Sequence, residues 1–97
     1  MALDNEFKEK TEELIVTTLE VYKKNPEAGV GQNMKNVWRI ENEGDFACGY
    51  FVGEIAGSAL TAFLHHHNRE PTKEEYKEIF ALVEKYSDEI SRFFHKN

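Results

Sequence analysis

The sequence is poor in cysteine and short of positive charge, and each shortage excludes a class of protein. Cys48 is the single cysteine, so no disulfide can form within the chain, which is typical of a reducing compartment. The 18 acidic residues outnumber the 12 basic ones and give a net charge of −6. No run of lysine and arginine with interleaved aromatic residues occurs, and we therefore expect no nucleic-acid partner.

Targeting signals are also lacking. The first ten residues are charged and contain no apolar stretch of the kind that a signal peptide needs. Lipidation motifs occur at neither end of the sequence. Together with the lone cysteine, these observations predict a cytoplasmic protein.

The remaining composition is that of a folded domain. A chain of 97 residues with 40% hydrophobic and 12% aromatic content can bury one modest core. Apolar residues recur at helical spacing in three stretches, and we therefore predict an all-α fold. The prediction is a single domain, residues 1–97, built as a small helical bundle with three main helices over residues 5–24, 45–66 and 73–95, plus a short irregular or helical segment at residues 32–43.

Capping residues mark the helix starts. Asp4 precedes the first helix and has the side chain of an N-cap residue. Gly44 is expected to interrupt helical structure just before the second helix, and Asp45 is expected to be the N-cap residue of that helix. The third helix has the clearest start, because Thr72 followed by Glu75 is a capping box.

The central helix carries three glycines spaced four residues apart in an almost uncharged stretch, residues 46–64. At 3.6 residues per turn they share one face. Three interior glycines cost a helix about 2–3 kcal/mol relative to alanine, and the expected compensation is another backbone packed very close to them. The predicted interface or close-packing residues are Gly49, Gly53, Gly57, Leu60 and Leu64.

Apolar side chains cover roughly two-thirds of this helix's circumference, more than the stripe of about 100° that a surface helix needs. The surplus is expected to meet either residues 34–40 or a second copy of the chain, and we predict a homo-oligomer, with a dimer favoured. The same stretch approaches the length of a membrane span. Glu54 lies near its centre and its small residues make it only mildly hydrophobic, so no membrane insertion is predicted.

A narrow polar stripe runs along the same helix and is the candidate ligand-facing surface. Its residues are Tyr50, Glu54, Ser58, Thr61 and His65. Glu54 is the only charge in the central stretch. It is either a buried carboxylate that transfers a proton or binds a cation, or a solvent-facing residue in a polar seam. Its polar neighbours favour the second interpretation.

Three consecutive histidines, His65, His66 and His67, end the central helix and raise the question of a metal site. Consecutive helical residues point about 100° apart, and no partner precedes them at the spacing of helical metal ligands. We therefore assign no metal ligand within the chain, although a site shared across a dimer stays open. Cys48 has no evident base beside it, and no catalytic residue or cofactor is predicted.

Two functional classes follow from these patterns. The first is a protein-interaction or regulatory module that acts as a homo-oligomer through its glycine-rich helix, with a further protein partner also open. The second is a small ligand-binding protein or metal-dependent enzyme with Glu54 at an inter-helix or subunit-interface site. A second carboxylate facing Glu54 would favour the enzyme, whereas a solvated Glu54 would favour the module.

Overall fold

The computed structural model describes residues 3–25 and 37–95 of the chain. Every regular element within these residues is an α-helix, which confirms the all-α prediction. Residues 32–36 of the predicted short segment lie outside the described residues. Of the remainder, Val37 and Trp38 are helical and exposed, and the chain is irregular from Arg39 to Asn42. The described residues contain four longer helices, which are α1 (Asn5–Lys24), α2 (Glu43–His67), α3 (Lys73–Glu84) and α4 (Ser87–His95).

Helix α1 has the predicted bounds, and its cap is the predicted one. Asp4 adopts an extended conformation and its Oδ1 accepts a hydrogen bond of 2.8 Å from the Phe7 amide. Lys23 and Lys24 lie in the last turn, where positive charge complements the partial negative charge of the helix C-terminus.

Helix α2 begins two residues before its predicted start, and the predicted cap is wrong. Asn42 is the N-cap residue, and its side-chain oxygen accepts a hydrogen bond of 2.9 Å from the Asp45 amide. Gly44 therefore lies inside the first turn rather than before the helix. The helix ends at His67, and its C-cap residue Asn68 has a left-handed conformation (φ 58°) that asparagine tolerates better than most residues.

The third predicted helix, residues 73–95, is two helices. Its start is confirmed, since Thr72 and Glu75 form both hydrogen bonds of the capping box. The helix is interrupted at Lys85 and Tyr86, where the Tyr86 amide bonds to the carbonyl of Val83, three residues back. Ser87 and Asp88 follow this tighter turn, and such residues compete with a helix for backbone hydrogen bonds.

Two apolar clusters form the core, one at each end of the bundle. The larger holds residues from all four helices, and the smaller joins the start of α1 to the end of α2 and the middle of α3. Phe51 belongs to the first and Phe63 to the second, and both are fully buried. Because Phe7 near the start of α1 contacts Phe63 near the end of α2, these two helices run antiparallel.

Candidate functional site

Among the described residues, nothing covers the three glycines of α2, which are exposed. We call this surface the glycine face and define it by Gly49, Gly53, Gly57, Leu60 and Leu64. Apart from the adjoining residues and backbone of α2 itself, a Cβ atom built on any of its three glycines meets no described atom within 4 Å. Leu60 is partly buried against the smaller core cluster, whereas Leu64 is 47% exposed. The described chain therefore supplies no backbone against this face, and its role as an interface stays a prediction.

The close backbone approach in the described chain occurs instead at Gly44. A Cβ atom there would lie 2.8 Å from the carbonyl oxygen of Phe94 and 3.1 Å from Cδ2 of His95. The end of α4 packs on the first turn of α2 at this point, and His95 Nε2 lies 2.6 Å from Asp45 Oδ1. The hydrogen bond with Asp45, followed by one with the Ser91 carbonyl, raises the pKa of His95.

The candidate polar stripe is solvent-exposed throughout, at Tyr50, Glu54, Ser58, Thr61 and His65. Glu54 nevertheless has a partner, because the hydroxyl of Tyr22 on α1 donates a hydrogen bond of 2.7 Å to its Oε1. Tyr22 is itself buried, and burial together with this hydrogen bond raises the pKa of its hydroxyl. Glu54 is therefore an exposed residue whose carboxylate is hydrogen-bonded to α1 of the same chain, an arrangement typical of a residue in a polar seam.

Cys48 is half-buried beside the larger core cluster. Burial, and to a smaller extent the negative charge of Asp45, raise the pKa of its thiol. The thiolate is the nucleophilic form of cysteine, so this environment disfavours covalent chemistry.

Asp4, His66 and His67 form a cluster that the sequence did not reveal. One potential ligand atom from each lies within 4.8 Å of the others, and this is the only such group of three or more among the described residues. His67 Nε2 lies 3.4 Å from Asp4 Oδ2. The hydrogen bond from the Phe7 amide is the largest influence on the Asp4 carboxyl and lowers its pKa, and His67 and His66 lower it further.

We expected consecutive helical histidines to point apart, but potential ligand atoms of His66 and His67 lie within 4.8 Å of each other, and only His65 lies outside this cluster. Helical spacing alone did not reveal the cluster because its third member belongs to another helix. The sequence identified Asp4 only as an N-cap residue. The antiparallel packing of α1 on α2 brings Asp4 close to His66 and His67.

Helix α2 is also long and apolar enough to cross a membrane, by length and composition alone. Its most apolar window has a mean hydropathy of 1.3, and 28% of that window is buried in the protein. The core helix of a water-soluble protein passes the same test. The large apolar side chains that α2 leaves exposed are Tyr50 and Leu64, and the other large apolar residues of this stretch are buried or partly buried.

No protein-family model matches the chain, and comparisons with curated proteins and with solved structures gave no match.

Proposed function

We propose that this protein is a small interaction module that forms a homodimer through the glycine face of α2. The observation that carries the proposal is that Gly49, Gly53 and Gly57 are exposed in the middle of the longest described helix. Loop glycines need no such explanation, but each interior helical glycine costs about 0.5–1 kcal/mol relative to alanine. Within the described chain nothing packs on these positions to offset that cost.

A second α2 fits this face because missing Cβ atoms allow two helix backbones to approach closely, as in small-residue helix pairs. Each copy presents the same glycine face, so two copies can pack about a twofold axis with identical contacts on both sides. Leu64, which is 47% exposed at the end of this face, supplies a hydrophobic contribution.

Charge does not oppose this pairing at the contact. Glu54 is the only charged residue in the stretch of residues 46–64, and Tyr22 of its own chain holds it on the side of α1. Ser58 and Thr61 are exposed beside the glycines and carry small uncharged side chains. The overall net charge of −6 slows the encounter of two copies without placing like charges in direct contact.

The size of the face sets the expected strength of the dimer. From Gly49 to Leu64 the helix rises about 22 Å. A single helix-on-helix crossing of this length lies at the small end of specific protein interfaces. We therefore expect a reversible dimer with a Kd in the micromolar range.

Analytical ultracentrifugation over roughly 1–200 μM would test this proposal, since that range brackets a micromolar Kd. Wild type should approach twice its monomer mass of 11.3 kDa at the upper end. Gly53→Leu should remain monomeric with an unchanged helical circular-dichroism spectrum, because its side chain would hold the two backbones apart. The matched control is Ala81→Leu, an enlargement at an exposed position of α3, which should associate like wild type.

Two results would contradict the proposal. One is a wild-type protein that stays monomeric over the whole range, and the other is a Gly53→Leu variant that associates as strongly as wild type. The alternative of a ligand site at Glu54 has less support. Glu54 is exposed, its Oε1 is bonded to Tyr22, and it is not part of the Asp4, His66 and His67 cluster.

A further inference from the structure

The cluster of Asp4, His66 and His67 lies where the start of α1 meets the end of α2. It contains two imidazoles and one carboxylate, the donor types that borderline transition metals accept. His66 and His67 belong to the last turn of α2, where the partial negative charge of the helix C-terminus favours a cation. The donor types of the cluster and its position at the C-terminus of α2 thus favour a metal ion. The orientations of the His67 and Asp4 side chains give more specific support.

The ring of His67 is held in one orientation by the protein. It stacks on Phe63 with ring centroids 4.1 Å apart, and the Phe7 ring contacts it edge-on. His67 Nδ1 lies 3.3 Å from the Phe63 carbonyl oxygen, which can only accept, so Nδ1 carries a proton. In the neutral ring the lone pair is therefore on Nε2. A backbone carbonyl that fixes the far nitrogen in this way is the usual outer partner of a metal-binding histidine.

Asp4 is oriented by a backbone group as well. Its Oδ1 accepts the hydrogen bond from the Phe7 amide, and its Oδ2 faces His67 Nε2 at 3.4 Å. Two atoms with lone pairs that face each other need a proton or a cation between them. Ligand atoms bound to one tetrahedral Zn²⁺ at about 2.0–2.2 Å lie about 3.3–3.5 Å apart, which matches this separation.

We propose that Asp4 Oδ2, His67 Nε2 and one ring nitrogen of His66 bind a Zn²⁺ ion that joins the start of α1 to the end of α2. His66 is exposed, so its ring can turn to complete the set without disturbing the core. The neighbouring rings of His66 and His67 already have centroids 4.8 Å apart. Three protein ligands leave the fourth tetrahedral position to water, because the cluster is at the surface.

Isothermal titration calorimetry with ZnCl₂ would test the site, with matched variants of exposed residues. Wild type should bind one Zn²⁺ per chain. Asp4→Asn and His66→Gln should each weaken binding at least tenfold. Asparagine is also a good N-cap residue, so Asp4→Asn removes the ligand charge while keeping the cap of α1. His65→Gln is the control, since His65 is exposed in the same histidine run but lies outside the cluster, and it should bind like wild type.

Cobalt provides a readout of geometry, because tetrahedral Co²⁺ absorbs visible light far more strongly than octahedral Co²⁺. Wild type and His65→Gln should show the intense absorption, and Asp4→Asn should lose it. Equal weakening of Zn²⁺ binding by His65→Gln and His66→Gln would overturn the proposal and assign binding to the histidine run alone. Absence of Zn²⁺ binding by wild type would also overturn it and leave an ion pair between Asp4 and protonated His67.

Discussion

At the scale of single residues, the effect of a helical glycine depends on what occupies the place of its missing Cβ atom. Gly44 and Gly53 belong to the same helix but have opposite surroundings. The Phe94 carbonyl and the His95 ring stand against Gly44, whereas nothing in the described chain stands against Gly53. Alanine substitution at the two positions should therefore change stability in opposite directions.

We expect Gly44→Ala to destabilise the protein by about 1–3 kcal/mol, because its methyl group would overpack a contact with backbone that cannot move independently. Gly53→Ala should stabilise the monomer by about 0.5–1 kcal/mol through higher helix propensity. Urea unfolding monitored by circular dichroism, at protein concentrations low enough to keep the chain monomeric, measures both changes. A destabilising Gly53→Ala under these conditions would mean that the glycine face is covered within one chain.

Glu75 at the start of α3 is a buried charged residue with several hydrogen-bond partners. Its carboxylate is buried, accepts two hydrogen bonds from Arg69 at 2.8 and 2.9 Å, and accepts a third from the Thr72 amide. The Arg69 hydrogen bonds are the largest influence, and with the Thr72 amide they lower the pKa of Glu75 to about 2. These contacts hold the short connection between α2 and α3 in place.

The lowered pKa gives a defined pH dependence. Because the folded pKa is below the unfolded value of 4.5, this contribution to stability is present above pH 4.5 and is lost as pH falls towards 2. We therefore expect Glu75→Gln to melt below wild type at pH 7, with the difference in Tm shrinking between about pH 4.5 and 2. Thermal melts across this range measure it, with Glu74→Gln as an exposed control in the same turn. A difference in Tm that stays the same across this pH range would show that Glu75→Gln destabilises the protein by altering the packing geometry rather than by removing the negative charge.

At the scale of the helices, the sequence predicted those ends that local chemistry determines. The caps at Asp4 and Thr72 were found because an N-cap hydrogen bond involves residues only three positions apart. The cap at Asn42 was missed because Gly44 resembles a helix breaker, and its place inside α2 depends on the distant end of α4. The interruption at Lys85 and Tyr86 was missed because the apolar spacing continues across it.

The candidate sites divide in the same way. Spacing alone placed Gly49, Gly53 and Gly57 on one face, since all three lie on one helix. Whether this face is covered depends on the tertiary structure, because it is determined by where α1, α3 and α4 pack. The cluster of Asp4 and His67 joins residues from two helices that are far apart in sequence, and without the packing of α1 on α2 no local pattern could bring them together.

The hydroxyl of Tyr22 provides a prediction for the contact between α1 and α2. Tyr22→Phe removes the donor to Glu54 while keeping the ring that packs edge-on against Phe51. Because Glu54 is exposed and water can replace the donor, we expect a loss of only about 0.5–1.5 kcal/mol by urea unfolding. Glu54→Gln is the matched variant, since its amide oxygen still accepts the hydrogen bond, and it should cost less. A loss of several kcal/mol in Tyr22→Phe would mean that Glu54 is desolvated.

At the scale of the whole molecule, the described helices bury one side of α2 and leave the three glycines of its glycine face exposed. Phe51, Ile55 and Phe63 occupy the covered side, where all three are almost inaccessible to solvent. The core is therefore complete on that side without a partner, and the monomer is expected to fold by itself. Dimerisation then stabilises a monomer that is already folded, and the contribution of dimerisation to stability increases with protein concentration.

This separation leads to a concentration-dependent effect of Gly53→Ala. In the monomer the methyl group meets no other described part of the chain and raises Tm, whereas in the proposed dimer it lies between two closely packed backbones and weakens association. We therefore expect the Tm of wild type to rise over roughly 1–200 μM, the range that brackets a micromolar Kd, and that of Gly53→Ala to start higher but rise less. Scanning calorimetry across this range measures both slopes, with Ala81→Gly as an exposed control on α3 that should lower Tm without changing the slope. Equal slopes for wild type and Gly53→Ala would place any association of this protein outside the glycine face.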